Sequence, residues 1–150
     1  MPNTYIGARA AQLNRQVTFV PLVSVTRLRL RSILYLLPFA ISAGGVSRQA
    51  LKSPGCQGVR TRKTRGLAFW TLTMWDDEKS LWSFVSQSPH REVMPKLSAW
   101  CDEAAVAHWT QETGAMPEWG VATRVLLESG RLLRIAHPSD AHRQGRKNVA

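Results

Sequence analysis

The chain has 150 residues, with 20 Lys or Arg against 10 Asp or Glu, a formal charge of +10, and 44% hydrophobic residues. That length fits one compact core, and two cysteines, Cys56 and Cys101, are too few for a disulfide framework or a four-thiolate metal site. A reducing cytoplasm is the expected location, and nucleic acid is not the expected partner, because the charge comes without zinc spacing, a dense basic helix stripe or an aromatic RNA-binding signature.

Met1 to Pro21 has no sustained period and reads as a flexible arm, with room for a short strand at Gln16 to Val20. It lacks a signal peptide's apolar segment, so no export is expected. From Leu22 to Arg31 the pattern alternates, with Ser24, Thr26, Leu28 and Leu30 on one face and Val25, Arg27, Arg29 and Arg31 on the other. This is the first strand. Its arginines either line an anion-binding cavity or face water. Ser32 is placed to cap a helix starting at Ile33, which Gly44-Gly45 weakens before the pattern resumes over Val46 to Ser53. The apolar run Ile33 to Ala43 is shorter than the roughly 20 residues of a membrane span and contains Pro38, so no span is expected.

After the turn Ser53-Pro54-Gly55, Gln57 to Thr64 reads as a second strand, and Arg65-Gly66 turns it into a third that ends at Trp75. On that third strand Ala68, Trp70, Leu72 and Met74 face one way and Phe69, Thr71, Thr73 and Trp75 the other. Both faces are substantially apolar, so the strand is expected to be central, with helices over one face and a second layer over the other. A partner subunit supplying that layer would leave a cavity bounded by Thr71, Thr73, Trp75 and the first strand's arginines.

Asp76 to Val85 makes a short helix. Ser88 then stands as cap, with Pro89 at the first position, of a helix whose apolar face carries His90, Val93, Met94, Leu97 and Cys101. Glu103 to Trp109 alternates as the fourth strand, and Met116 to Ser129 is a trailing helix stopped by Gly130. From Ala136 to Ala150 the chain is polar, basic and without period, and reads as a disordered tail. The domain is thus expected over residues 22–135. The order of elements is that of an α+β, ferredoxin-like split β-α-β fold with a four-stranded antiparallel sheet and an extra C-terminal helix. Its uncovered face makes a homodimer the economical solution.

Three segments carry a family resemblance: Ser53-Pro54-Gly55-Cys56-Gln57-Gly58-Val59, Phe69 through Glu78, and Ser86 through His90 followed by Met94-Pro95. With them the chain resembles the dimeric α/β-barrel superfamily, and within it the antibiotic-biosynthesis-monooxygenase-like and spheroidene-monooxygenase-related proteins. The resemblance implies a ferredoxin-like subunit whose sheet packs on its partner's, with a cavity between sheet and helices. The superfamily includes cofactor-free oxygenases acting on activated aromatic substrates, haem-dependent enzymes and proteins with no established activity. The chain is therefore expected to be a monooxygenase-like, possible oxidoreductase that binds an apolar or aromatic small molecule, with no cofactor or with haem. A non-catalytic dimeric ligand-binding module is the alternative, and a basic partner-binding protein acting through its tails is a third.

His90 matches the family's histidine after the short helix. It is the catalytic candidate, as a base or, if haem is bound, as the iron ligand, since imidazole titrates near neutrality and a helix start lowers its pKa. The plainer alternative packs it on Trp82 or Met94. Arg27 and Arg29 are candidates to meet ligand carboxylates, haem propionates included. Thr71, Thr73, Trp75 and Met94 are the other expected ligand contacts, and among the tryptophans one or two are expected to face a cavity. His108 reads as structural. Cys101, beside Asp102 and Glu103, sits in an acidic context unsuited to a nucleophile. No serine-nucleophile motif or glycine-rich phosphate loop is present, which removes hydrolase and nucleotide-binding readings.

Overall fold

The computed structural model describes residues 20–150. The arm expected at its start, with its short strand, lies outside the described residues except for Val20 and the buried Pro21. The described residues form one antiparallel sheet of β1 (Leu22–Leu30), β2 (Cys56–Lys63), β3 (Ala68–Trp75), β4 (Cys101–Thr110) and β5 (Arg131–Leu132), in the order β2-β3-β1-β4-β5. Helices α1 (Leu36–Lys52), α2 (Glu78–Val85), α3 (His90–Trp100), α4 (Trp119–Ser129) and α5 (Asp140–Arg143) complete the fold, with a 3-10 turn at Ile33–Tyr35 before α1. The ferredoxin-like α+β arrangement is as expected, but the sheet has five strands instead of four. A two-residue strand is too short to leave a periodic signal.

Local chemistry sets the boundaries. Ser32 accepts the Leu34 N–H at 3.2 Å and so caps the 3-10 turn, while Asp77 accepts the Ser80 N–H at 2.8 Å and starts α2. Gly55 and Gly66 have φ of +84° and +70°, where a side chain would be strained, and they make the turns before β2 and before β3. Helix α1 runs unbroken through Gly44-Gly45, because burial of Phe39 and Ala50 offsets the roughly 1 kcal/mol per glycine that propensity would cost. One expectation fails here. Ser88 does not cap α3; its hydroxyl bonds Glu92 at 2.8 Å, and the His90 N–H is taken by Gln49 Oε1 of α1, also at 2.8 Å.

Both faces of the sheet are buried, as the composition of β3 requires. On one face Leu22 and Trp75 pack with Ala50, Leu81 and Phe84 under α1 and α2. On the other, Val23, Val25, Trp70, Leu72, Met74, Ala105 and Ala107 pack with Ala122 and Leu126 of α4. The second layer is therefore the chain's own trailing helix, and the apolar face that suggested a partner subunit is closed within one chain. The final segment also departs from its expected disorder. Ala136 and Ser139 donate backbone N–H groups to the Ser98 and Asp102 carbonyls at 3.1 and 2.8 Å, Ser139 caps α5, and Val149 packs against the α4-side core. Such long-range bonds need no apolar period of their own, which is why pattern reading missed them.

Candidate functional site

Alternation along β1 and β3 places Ser24, Thr26, Thr71 and Thr73 on the helix side of the sheet, and antiparallel register sets Ser24 opposite Thr73 and Thr26 opposite Thr71. The spacing of α1, α2 and α3 from this surface leaves a cavity of about 340 Å³ whose floor includes these four residues. Phe39, Val46, Leu81, Val93 and Leu97 form apolar walls. This is the usual composition of a small-molecule site, an apolar enclosure with a few placed polar groups. Trp75 Nε1 donates to Thr73 Oγ1 at 2.9 Å, whereas the hydroxyls of Ser24, Thr26 and Thr71 make no side-chain hydrogen bond to the described residues and are open to a ligand.

His90 lies in the wall at the first turn of α3. Its backbone is held by Gln49, and its ring packs edge-on against Phe84 with centroids 4.9 Å apart. Nδ1 is 3.2 Å from the Val85 carbonyl oxygen. A carbonyl only accepts, so in the neutral ring Nδ1 carries the proton and Nε2 keeps its lone pair. Burial pushes the His90 pKa below the ordinary value, with the Val85 contact opposing it. The cause is desolvation and not the helix start expected from the sequence. The ring is therefore neutral at pH 7, the form a base requires.

His108 of β4 also lines the cavity, opposite Ser24 in the register, with Trp82 of α2 edge-on at 6.1 Å. Its outer side is exposed; partial burial lowers its pKa first, then the charge of Arg131, against a raising influence from Glu78. The cavity thus holds two imidazoles where the sequence singled out one. The clue in the sequence was that His108 shares the parity of Ala104 and Val106.

The other expected site residues divide. Thr71, Thr73 and Met94 line the cavity. Trp75 lies one layer behind, fully buried and stacked on Phe84 at 5.0 Å, so it supports Thr73 and the Phe84–His90 contact instead of lining the cavity. Arg27 and Arg29 do not reach the cavity. Arg27 sits opposite Trp70, on the α4 side, and Nη1 meets Glu103 at 2.7 Å in a buried pair, while Arg29 makes a two-pronged contact with Asp102, both at 2.8 Å. Opposite parity on β1 separates them from Thr71 and Thr73, and the acidic residues that neutralise them lie far away in sequence. Arg131 and Arg134, on and just after β5, are the arginines that line the cavity, and no apolar period marked them. Cys101 is fully buried, and burial followed by Asp102 pushes its thiol up to about 12, which excludes it as a nucleophile. Among the described residues no three His, Cys, Asp or Glu side chains cluster as a metal site.

A family model described as a domain of unknown function, DUF3291, matches residues 40–131, more than half of the chain. The chain belongs to this family. The DUF3291 region runs from within α1 to the first residue of β5, so it contains His90, His108 and the β3 half of the cavity floor. Among curated proteins none matches.

Solved structures match this DUF3291 chain in fold. A conserved protein from Methanosarcina mazei Go1 is 19% identical over 64% of this chain and 96% of its own, with a TM-score of 0.56. An antibiotic biosynthesis monooxygenase is 12% identical over 64% and 99%, with a TM-score of 0.53. SnoaB, a cofactor-independent oxygenase from Streptomyces nogalater, is 14% identical over 65% and 98%, with a TM-score of 0.51. The fold is thus that of the antibiotic-biosynthesis-monooxygenase-like proteins, as the sequence resemblance implied. No helix among the described residues is long and apolar enough to cross a membrane.

Proposed function

We propose that this DUF3291 protein is a monooxygenase-like enzyme that holds an apolar or aromatic small molecule in the cavity between sheet and helices and deprotonates it with His90. The observation that carries this reading is a half-buried imidazole, neutral at pH 7 with Nε2 unpaired among the described residues, in the wall of an apolar cavity whose floor carries the hydroxyls of Ser24, Thr26, Thr71 and Thr73. The base takes a proton from an acidified C–H or O–H group, the hydroxyls hold the oxygen on which negative charge gathers, and the apolar walls exclude water. The resulting anion is electron-rich enough to reduce dioxygen directly. For an activated methylene the balance closes without a further reductant: CH2 and O2 become C=O and H2O.

Haem fits less well. Phe84 packs on the His90 ring, and about 340 Å³ stands at the low end of the range for small-molecule sites. A homodimer is not required to cover the sheet, since α4 does so.

The test uses anthrone, whose methylene is acidified by its ketone. Oxygen uptake and anthraquinone formation are expected with the wild-type protein, and a loss of about 10²–10⁴-fold in His90→Ala, in line with removal of a general base. Anthrone binding with no oxygen uptake would instead favour the non-catalytic ligand-binding module. The same rate in His90→Ala would remove His90 from the reaction.

A further inference from the structure

We infer that the cavity selects an anionic ligand, an apolar or aromatic molecule bearing a carboxylate, and that Arg131 and Arg134 form its anion-recognition end. This rests on the cavity being the binding site. β5 pairs Arg131 with Val106, itself a cavity residue, and the Leu133 N–H donates to the Ala104 carbonyl at 2.9 Å. These two contacts run the segment along the free edge of β4, so that Arg131, Leu133, Arg134 and Ile135 all border the cavity. The backbone is held at both ends of the pair, since Ala136 donates to Ser98 of α3 at 3.1 Å.

Among the described residues the charge on this edge is uncompensated. Arg27 and Arg29, on the opposite side of β1, are each met by a carboxylate at 2.7 to 2.8 Å. Arg131 and Arg134 make no ion pair and no side-chain hydrogen bond among the described residues, and both are exposed. Glu78, whose charge also reaches His108, is the acceptor for Trp82 Nε1 at 3.0 Å. Two forked guanidinium groups on an ordered edge, beside an apolar enclosure, match a planar carboxylate on an apolar body, because the fork can bond both carboxylate oxygens. The hydroxyl floor and the imidazoles then meet the rest of the molecule.

Naphthalene-2-carboxylate and its uncharged carboxamide are the probes, titrated against the full chain by calorimetry and by quenching of tryptophan fluorescence. The carboxylate is expected to bind about tenfold more tightly than the amide, and Arg131→Gln/Arg134→Gln to erase that preference while leaving amide affinity unchanged. Arg60→Gln, which removes one charge from β2, is expected to leave both affinities as they are. Equal affinity of the wild type for the two probes, or a preference that survives in the double variant, overturns the inference while leaving the cavity as a binding site. Failure of both probes to bind overturns the inference and the cavity reading together. Unchanged circular dichroism of the double variant is the check on folding, expected because both side chains are exposed.

Discussion

Gln49 of α1 and His90 of α3 are joined side chain to backbone: Gln49 Oε1 accepts the His90 N–H at 2.8 Å, while its Nε2 donates to the Phe84 and Gln87 carbonyls at 3.1 and 3.2 Å. One amide therefore satisfies the end of α2, the start of α3 and the link between them. Gln49→Ala is expected to destabilise the protein by about 1–3 kcal/mol, because it strips partners from partly buried backbone groups. Chemical denaturation measures this. Anthrone turnover should also fall, as the His90 backbone loses its anchor, and an unchanged midpoint would show that water replaces the amide without cost.

The two lowered histidines give stability a defined pH dependence. Burial first, and for His108 the charge of Arg131 next, push both below the ordinary 6.5. Between that value and the lowered folded values the unfolded chain binds more protons than the folded one. The contribution is thus fully present above about pH 6.5 and lost as pH falls through that window. The unfolding midpoint should drop from pH 7.5 to pH 5, and less steeply in His90→Gln. The Asp77 carboxylate, lowered by its bonds to Ser80, acts in a separate window below 3.8. An identical slope in His90→Gln would show that this residue titrates alike in both states.

Arg27 is expected to matter for stability and not for ligand. It lies on the α4 side of the sheet, 3% exposed, with Glu103 as its buried partner. Among the described residues Arg27→Met leaves that carboxylate with the Arg29 contact at 3.3 Å and a bond from Ser139, and should cost about 3–5 kcal/mol. Adding Glu103→Leu should recover much of the loss. Naphthalene-2-carboxylate affinity, measured below the unfolding transition, should not change in either variant; a weakened affinity would place the pair in communication with the cavity.

Leu126 tests how the second face is closed. It is fully buried against β1 and β3, and Leu126→Ala should cost about 2–5 kcal/mol. Since α4 belongs to the same chain, the unfolding midpoint should fall by the same amount at every protein concentration. A loss that grows on dilution would mean that a second copy shares this face.

Side-chain parity and caps, which act over a few residues, could be read from the chain directly. The alternation of Phe69 to Trp75, the acidic start of α2 at Asp77 and the apolar placement of His90 on α3 all depend on neighbours within one turn or two strand residues. From those came the α+β arrangement, the two-faced burial of β3 and the Thr71, Thr73, His90 and Met94 part of the cavity.

Tertiary structure decided what depends on partners distant in sequence. The same alternation that places Thr71 on the helix side does not say which face of β1 joins it; the antiparallel register does, pairing Thr26 with Thr71 and sending Arg27 to Glu103, 76 residues away. Whether a second subunit or α4 covers Trp70 turns on how the chain folds back after β4. Arg131 and Arg134 reach the cavity because their segment pairs with the edge of β4 through backbone groups, which any residue can supply, so nothing in the side chains announced them.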